Sequence, residues 1–312
     1  MSFKILLAET RGFCAGVERA IAVVNKALEK FGAHQVYVLH EVVHNKHVVA
    51  ELAERGAHFV ESLDEIPDPE SKVVIFSAHG VGLETIKKAQ DLKLHIIDAT
   101  CPLVSRIHAK MAKAAAAHKE VVIIGHEGHQ EVLGTVGQFT GPVDLVHVIL
   151  SVDDVQKLEL KTQNAIFATQ TTLSIDETAK TVAALKAKYP FIEGPRNDDT
   201  CFATQHRQAA VKLLAQACDL VLVAGSANSS NSRRLSEVAE KEGARSYLID
   251  DYTCITPEML EGVQSVGITA GASVPERIVT GIIDLLKTQG ATSVEGIGPQ
   301  PKHRQFPLPD NL

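Results

Sequence analysis

No run of apolar residues in this 312-residue chain approaches the roughly 20 that span a bilayer. The opening MSFKILLAET is broken early by Glu9 and Arg11, which argues against a signal peptide, so the expected location is the cytoplasm, or a plastid stroma if a transit peptide has been trimmed. Neither Lys nor Arg forms a long run. With a net charge of -7 and a pI near 6.1, nucleic acid and anionic membranes are poor partners. No C-x-x-C pair occurs, and no G-x-x-x-x-G-K-[ST] phosphate loop. The five cysteines are an odd count in a large chain, which argues against a secreted disulfide framework and leaves metal binding or catalysis as the better use for some of them.

What is present is an ordinary globular composition, 45% hydrophobic and 22% charged, in a chain long enough for two or three compact units. Short apolar runs recur, each ending in a small or polar loop: KILLAET, VYVLHEVVH, KVVIFSAHG, LHIIDATCP, VVIIGHEGHQE, AIFATQTTLS, DLVLVAGSANSS and SVGITAGAS. They read as buried strands of parallel sheets. Amphipathic segments at 17–30, 103–117, 175–189, 203–218 and 275–288 read as helices. Alternation of the two predicts an α/β protein with ligands beyond the carboxyl ends of the strands, where the polar loops lie.

Cys14, Cys101 and Cys201 divide the chain at intervals of about 90 to 100 residues. About 30 residues after each comes a polar strand-end loop, at His44, His129 and Ser229, and about 70 after each another, at His79, Thr171 and Ser273. The pattern predicts three similar α/β units about a shared centre: 14–100, 101–197, and 1–13 with 198–290. Residues 291–312 read as a C-terminal tail, irregular from Gly296.

Cys14 lies in RGFCAGVERA, a glycine-flanked turn before a helix, where positive partial charge favours a thiolate. A small buried hydrophobe is the competing reading, and the better one for Cys218 and Cys254. Three converging thiols suit zinc or an iron-sulfur cluster, and two suit a redox pair. On a four-iron cluster, three leave one iron open to substrate. His44, His79 and His129, joined by Ser229, Ser230, Asn231 and Ser273, offer hydrogen-bond donors suited to a small phosphorylated ligand. Glu131 is placed as a proton donor if its acidity is lowered, with Thr171 and Thr172 as partners; a helix-terminal charge is the alternative. HEVVH at 40–44 matches the zinc-protease pattern, which works only on a helix, and QVYVL leads into it as a strand.

RGFCAGVERAI, EVVHNKHVV, FSAHGVG, DATCPLV, GHEGHQEVLGT, ATQTTLS, DDTCFATQHRQ, GSANSSNSRRL and TAGASVP, in this order over nearly the whole chain, closely resemble the hydroxymethylbutenyl diphosphate reductase family of LytB type. Gly82 departs from the Ser often found after HGV, and the tail matches least well. The resemblance implies a trefoil of three α/β domains with mainly parallel sheets around one [4Fe-4S] cluster per chain, held by Cys14, Cys101 and Cys201. It implies that 4-hydroxy-3-methylbut-2-enyl diphosphate binds with its hydroxyl near the open iron. His44, His79, His129, Ser229, Ser230, Asn231 and Ser273 would engage its diphosphate. Glu131 would deliver a proton, Thr171 would orient the hydroxyl, and an electron-donor protein such as flavodoxin or ferredoxin would supply electrons. The products would be isopentenyl and dimethylallyl diphosphates, in the last step of the methylerythritol phosphate route. The rival classes are a zinc hydrolase using HEVVH and a non-catalytic iron-sulfur sensor.

Overall fold

Strand and helix alternate along most of the chain in a computed structural model that describes residues 2–195, 199–300 and 304–312. The order begins β1 (Phe3–Ala8), α1 (Ala15–Phe31), β2 (Val36–Leu39), α2 (Lys46–Glu54), β3 (His58–Val60), β4 (Val73–Phe76), α3 (Leu83–Asp91) and β5 (His95–Asp98). It continues with α4 (Pro102–Ala116), β6 (Glu120–Ile124), α5 (Gln130–Val136), β7 (Val146–Ile149), α6 (Val152–Lys157), β8 (Ala165–Thr169) and α7 (Ile175–Lys188). Last come α8 (Phe202–Ala217), β9 (Leu220–Ala224), α9 (Ser230–Lys241), β10 (Arg245–Ile249), β11 (Ser265–Ala270), α10 (Glu276–Thr288) and β12 (Ala291–Ile297). Contacts divide the chain into one unit of Met1–Val17, His44–Val48 and Phe202–Arg304, and another of Glu18–Val43, Val49–Cys201 and Gln305–Leu312.

The first unit is built on a parallel five-stranded sheet ordered β10-β9-β11-β1-β12. Its central strands are apolar without a break because both faces are covered. Phe3, Ile5, Leu220, Leu222 and Ile268 pack with Ile278, Ile282 and Leu286 of α10. The alternate residues Leu6, Ala8, Val221 and Val223 pack with Val211 and Leu214 of α8 and Leu235 and Val238 of α9.

Two smaller parallel sheets build the second unit, ordered β3-β2-β4-β5 and β7-β6-β8. The three-stranded sheet is again two-sided. Val122, Ile124 and Phe167 face Leu185 of α7, while Val121, Ile123 and Ile166 face Ile107 and Met111 of α4. Residues 305–312 carry no strand or helix and are fastened by Arg19, whose Nε donates to the Pro307 carbonyl at 2.6 Å, and by Asn311, which donates to Ile96 O at 2.8 Å.

All eight expected strands form, and the five expected helices end within about two residues of their predicted bounds. One boundary needs correction: 291–312 is not a tail throughout, because Ala291–Ile297 is β12, paired in parallel with β1. This strand lies at the sheet edge with most of its residues half-buried or exposed, so it carries neither an apolar run nor a one-sided stripe. HEVVH is not helical: His40 has φ +59, residues 41–45 form a loop, and α2 starts at Lys46, which removes the zinc-hydrolase geometry. Among the described residues no helix is long and apolar enough to cross a membrane.

Candidate functional site

In the first unit the site grows from the loops that end β1, β9 and β11. Gly12, at φ +63, lets the chain after β1 turn back beside β11, where Gly12 N donates to Ala270 O and Cys14 N to Ala272 O, both at 3.2 Å. Cys14 is thereby held, half-buried, immediately before α1. Arg207 on α8 is buried, and its guanidinium donates to the carbonyls of Gly12 and Phe13 in the same loop. Ser273, in the loop after β11, donates to the His44 carbonyl at 2.9 Å, and Ser226 Oγ accepts from Lys46 N at 3.4 Å. These two contacts bind the His44 segment to the strand ends.

The N-terminus of α9 belongs to the same group of loops. Ser229 is its N-cap, accepting from Ser232 N at 3.3 Å and from Ser232 Oγ at 3.0 Å. A Cβ at Gly271 would overlap Ser232 Oγ and approach Asn231 Nδ2, so the glycine admits close contact between loop and helix. Ser229, Ser230, Asn231 and Ser273 are all buried. Asn231 stands out because neither its Oδ1 nor its Nδ2 has a partner among the described residues. A buried carboxamide without partners costs about 1–3 kcal/mol per unsatisfied group, so the site is shaped for something that supplies them. Neutral donors at a helix N-terminus suit an anion.

The second unit gathers His79, Cys101, His129, Glu131, Thr171 and Cys201. Cys101 is the N-cap residue of α4, and its N–H donates to Ala78 O at 3.0 Å, beside His79. The rings of His79 and His129 meet edge-on with centroids 5.9 Å apart. His129 caps α5, its Nδ1 accepting from Glu131 N at 3.1 Å. Glu131 is 4% exposed; its two oxygens accept from Thr171 N at 2.6 Å and Thr171 Oγ1 at 2.8 Å. Thr171 O in turn accepts from Cys201 N at 3.0 Å. Burial lifts the Glu131 carboxyl to about 7 even though the Thr171 hydrogen bonds pull the other way. Near neutral pH it is therefore a usable acid.

Two supporting residues escaped the sequence reading. Arg207 sits in QHRQ among helix formers, and nothing local marks it as buried; a cation in the second turn after a candidate ligand was the available signal. Gln170, buried next to Thr171, accepts from His126 N at 3.0 Å and donates to Thr172 Oγ1 at 3.0 Å, which fixes the strand-end loop. Cys218 behaves as expected of a core residue: it packs under the five-stranded sheet, and burial pushes its thiol up to about 11. Cys254 lies half-buried in a short turn against the opposite core. No disulfide joins any of the five cysteines, and among the described residues no group of three or more His, Cys, Asp or Glu could hold a single metal ion.

A parallel α/β chain that sets thiols, a buried carboxyl raised to about 7 and a buried set of uncharged donors at its strand ends has the parts of an enzyme for a small anionic substrate. Residues 5–287 match the family described as LytB protein. A 4-hydroxy-3-methylbut-2-enyl diphosphate reductase of Mannheimia succiniciproducens is 50% identical over 310 residues, 99% of this chain and 98% of the relative. The enzyme of that name from Methylococcus capsulatus is 51% identical over 298 residues, 94% of each chain. Among solved structures, the E-1-hydroxy-2-methyl-but-2-enyl-4-diphosphate reductase of Plasmodium falciparum superposes with a TM-score of 0.94 at 33% identity, covering 100% of this chain and 97% of that one. The chain belongs to the LytB family.

Proposed function

We infer that this protein is a 4-hydroxy-3-methylbut-2-enyl diphosphate reductase, which removes the allylic hydroxyl as water and yields isopentenyl and dimethylallyl diphosphates in the last step of the methylerythritol phosphate route. The observation that carries the reading is the buried Glu131–Thr171 pair, an acid poised near pH 7 whose partner is tied directly to Cys201. Hydroxide is a poor leaving group and needs a proton as the C–O bond breaks. Glu131 supplies it. The Thr171 hydroxyl, able to donate and accept, orients the departing oxygen or relays the proton.

Cys14, Cys101 and Cys201 fit a [4Fe-4S] cluster, one per chain, because each is a half-buried thiol outside any disulfide and immediately before a helix of 15 residues or more. A cluster presents several irons, so its ligands need not converge on one atom as they must for zinc. When bound, it supplies one-electron redox chemistry and, at the iron left without a thiolate, a Lewis-acid position. His44, Ser229, Ser230, Asn231 and Ser273, with His79 and His129, hold the diphosphate, and the amide of Asn231 gains the partners it otherwise lacks. We assign the three sheets to three modules, 14–100, 101–197, and 1–13 with 198–297, each contributing one cysteine. The protein works in the cytoplasm with a separate electron-donor protein such as flavodoxin or ferredoxin.

The test is anaerobic purification, iron and sulfide analysis, and assay with the allylic diphosphate under a strong reductant. A brown protein that forms both isoprenyl diphosphates is expected. A cluster without turnover would make the protein a sensor, and stoichiometric zinc without iron would overturn the cluster assignment.

A further inference from the structure

One stretch of the described surface runs against the charge of the whole. The chain carries a net charge of -7, yet α4 bears Arg106, Lys110 and Lys113 and no acidic residue. These positions follow an i, i+4, i+7 pattern and so share one helix face. They line a groove of about 550 Å³ together with Ala109, Ala114, Ala117 and Lys119. Lys110 and Lys119 are held by Asp199 at 3.1 Å and Glu193 at 2.5 Å. Arg106 and Lys113 are exposed and have no acidic partner among the described residues. The helix starts at Cys101, so at 1.5 Å per residue Arg106 lies about 7.5 Å and Lys113 about 18 Å beyond it along the axis.

We propose that this groove is the docking site of a small acidic electron-carrier protein; the proposal rests on the reductase reading. Each turnover breaks one C–O bond, forms one C–H bond and releases water. It consumes two protons and two electrons, the electrons arriving singly from two reduced carriers that depart oxidised. An acidic carrier is repelled by most of a net-negative surface and is drawn to the positive face, which steers its approach and fixes its register. Unlike its paired neighbours, Arg106 and Lys113 keep their charge available for a partner. The small alanine side chains among its lining leave a concavity that partner side chains can enter, and it lies along the helix that follows a thiol assigned to the redox centre.

Holoenzyme carrying Arg106→Glu with Lys113→Glu is compared with wild type using two reductants, an acidic [2Fe-2S] ferredoxin and a photoreduced deazaflavin too small to need a docking face. The KM for ferredoxin is expected to rise about tenfold or more while the deazaflavin rate stays within about twofold, and the wild-type ferredoxin rate falls with added salt more steeply than the variant's. Lys26→Glu with Lys180→Glu, an equal charge change on other helices, should leave the ferredoxin KM nearly unchanged. The assignment is overturned by an unchanged KM in the first variant, by an equal loss with both reductants, or by an equal loss in the second variant. If charge reversal prevents folding, Arg106→Gln with Lys113→Gln is read in the same way, with a smaller rise expected. Failure of wild type to reduce the diphosphate with either reductant would sink the reductase reading instead, and ferredoxin titration against salt would still decide the docking face.

Discussion

Glu131 takes two hydrogen bonds from a single residue, Thr171, one from its backbone N–H and one from its hydroxyl. The carboxyl is therefore oriented on both oxygens while burial keeps it protonated up to about pH 7. Because Ser and Val at this position keep the backbone N–H, the hydroxyl can be tested separately from the backbone bond.

Glu131→Gln should bind substrate and retain iron and sulfide, while turnover falls by about two to four orders of magnitude, the usual weight of general acid catalysis. Thr171→Ser should keep most activity and Thr171→Val should lose it. Single-turnover rates with iron analysis decide the matter: a fully active Glu131→Gln enzyme excludes the residue as donor.

The pH dependence has a definite sign. A carboxyl raised from 4.5 to about 7 favours the folded state most below pH 4.5, and that contribution is lost as pH rises through 7. Relative to Glu131→Gln, wild type should lose stability between pH 5 and pH 8, by up to about 3 kcal/mol. The wild-type rate should fall over the same upper range. Denaturant titrations of the two proteins at both pH values measure the difference, and parallel curves would refute it.

Asn231→Ala removes a buried carboxamide that has no partner in the ligand-free protein. Ligand-free stability should hold or rise by about 1 kcal/mol, while affinity for the diphosphate falls about ten- to a hundredfold. Ser229→Ala should weaken both, because the same side chain caps α9. Calorimetric binding and thermal melts separate the cases; an Asn231→Ala protein with normal affinity places the phosphates elsewhere.

Cys101→Ala should abolish cluster retention and activity. Cys218→Ala should cost about 1 kcal/mol through loss of a small buried side chain and leave iron content intact. Iron per chain in the two variants is the readout, and equal iron in both would end the three-thiolate assignment.

The strands that were legible in the sequence include every central strand of the three sheets. The four that were not, β3, β7, β10 and β12, are all edges. An edge strand is partly wetted, so residues such as Arg245, Glu295 and His58 are tolerated and the apolar run disappears. Candidates for the site could be picked out in the sequence because they lie on strand-end loops, where Cys, His and Ser interrupt apolar runs at positions packing would not choose. Arg207 was not legible, since its burial depends on a loop nearly two hundred residues away in sequence.

The placement of β1 carries a consequence for biosynthesis. This strand is synthesised long before β11 and β12, the two strands that flank it, with Lys4 opposite both Ser265 and Ser293. At typical elongation rates of about 5–20 residues per second it waits roughly 15 to 60 seconds with both hydrogen-bonding edges unpaired, an interval in which chaperones or early partners have something to hold. The RGFC turn hangs from the same late strand through Gly12 and Ala270, so Cys14 reaches its final position only after β11 has been synthesised. A metal centre that needs this thiol would therefore be completed only after β11 is made, and a nascent chain stalled before β11 would carry the cysteine without the pocket.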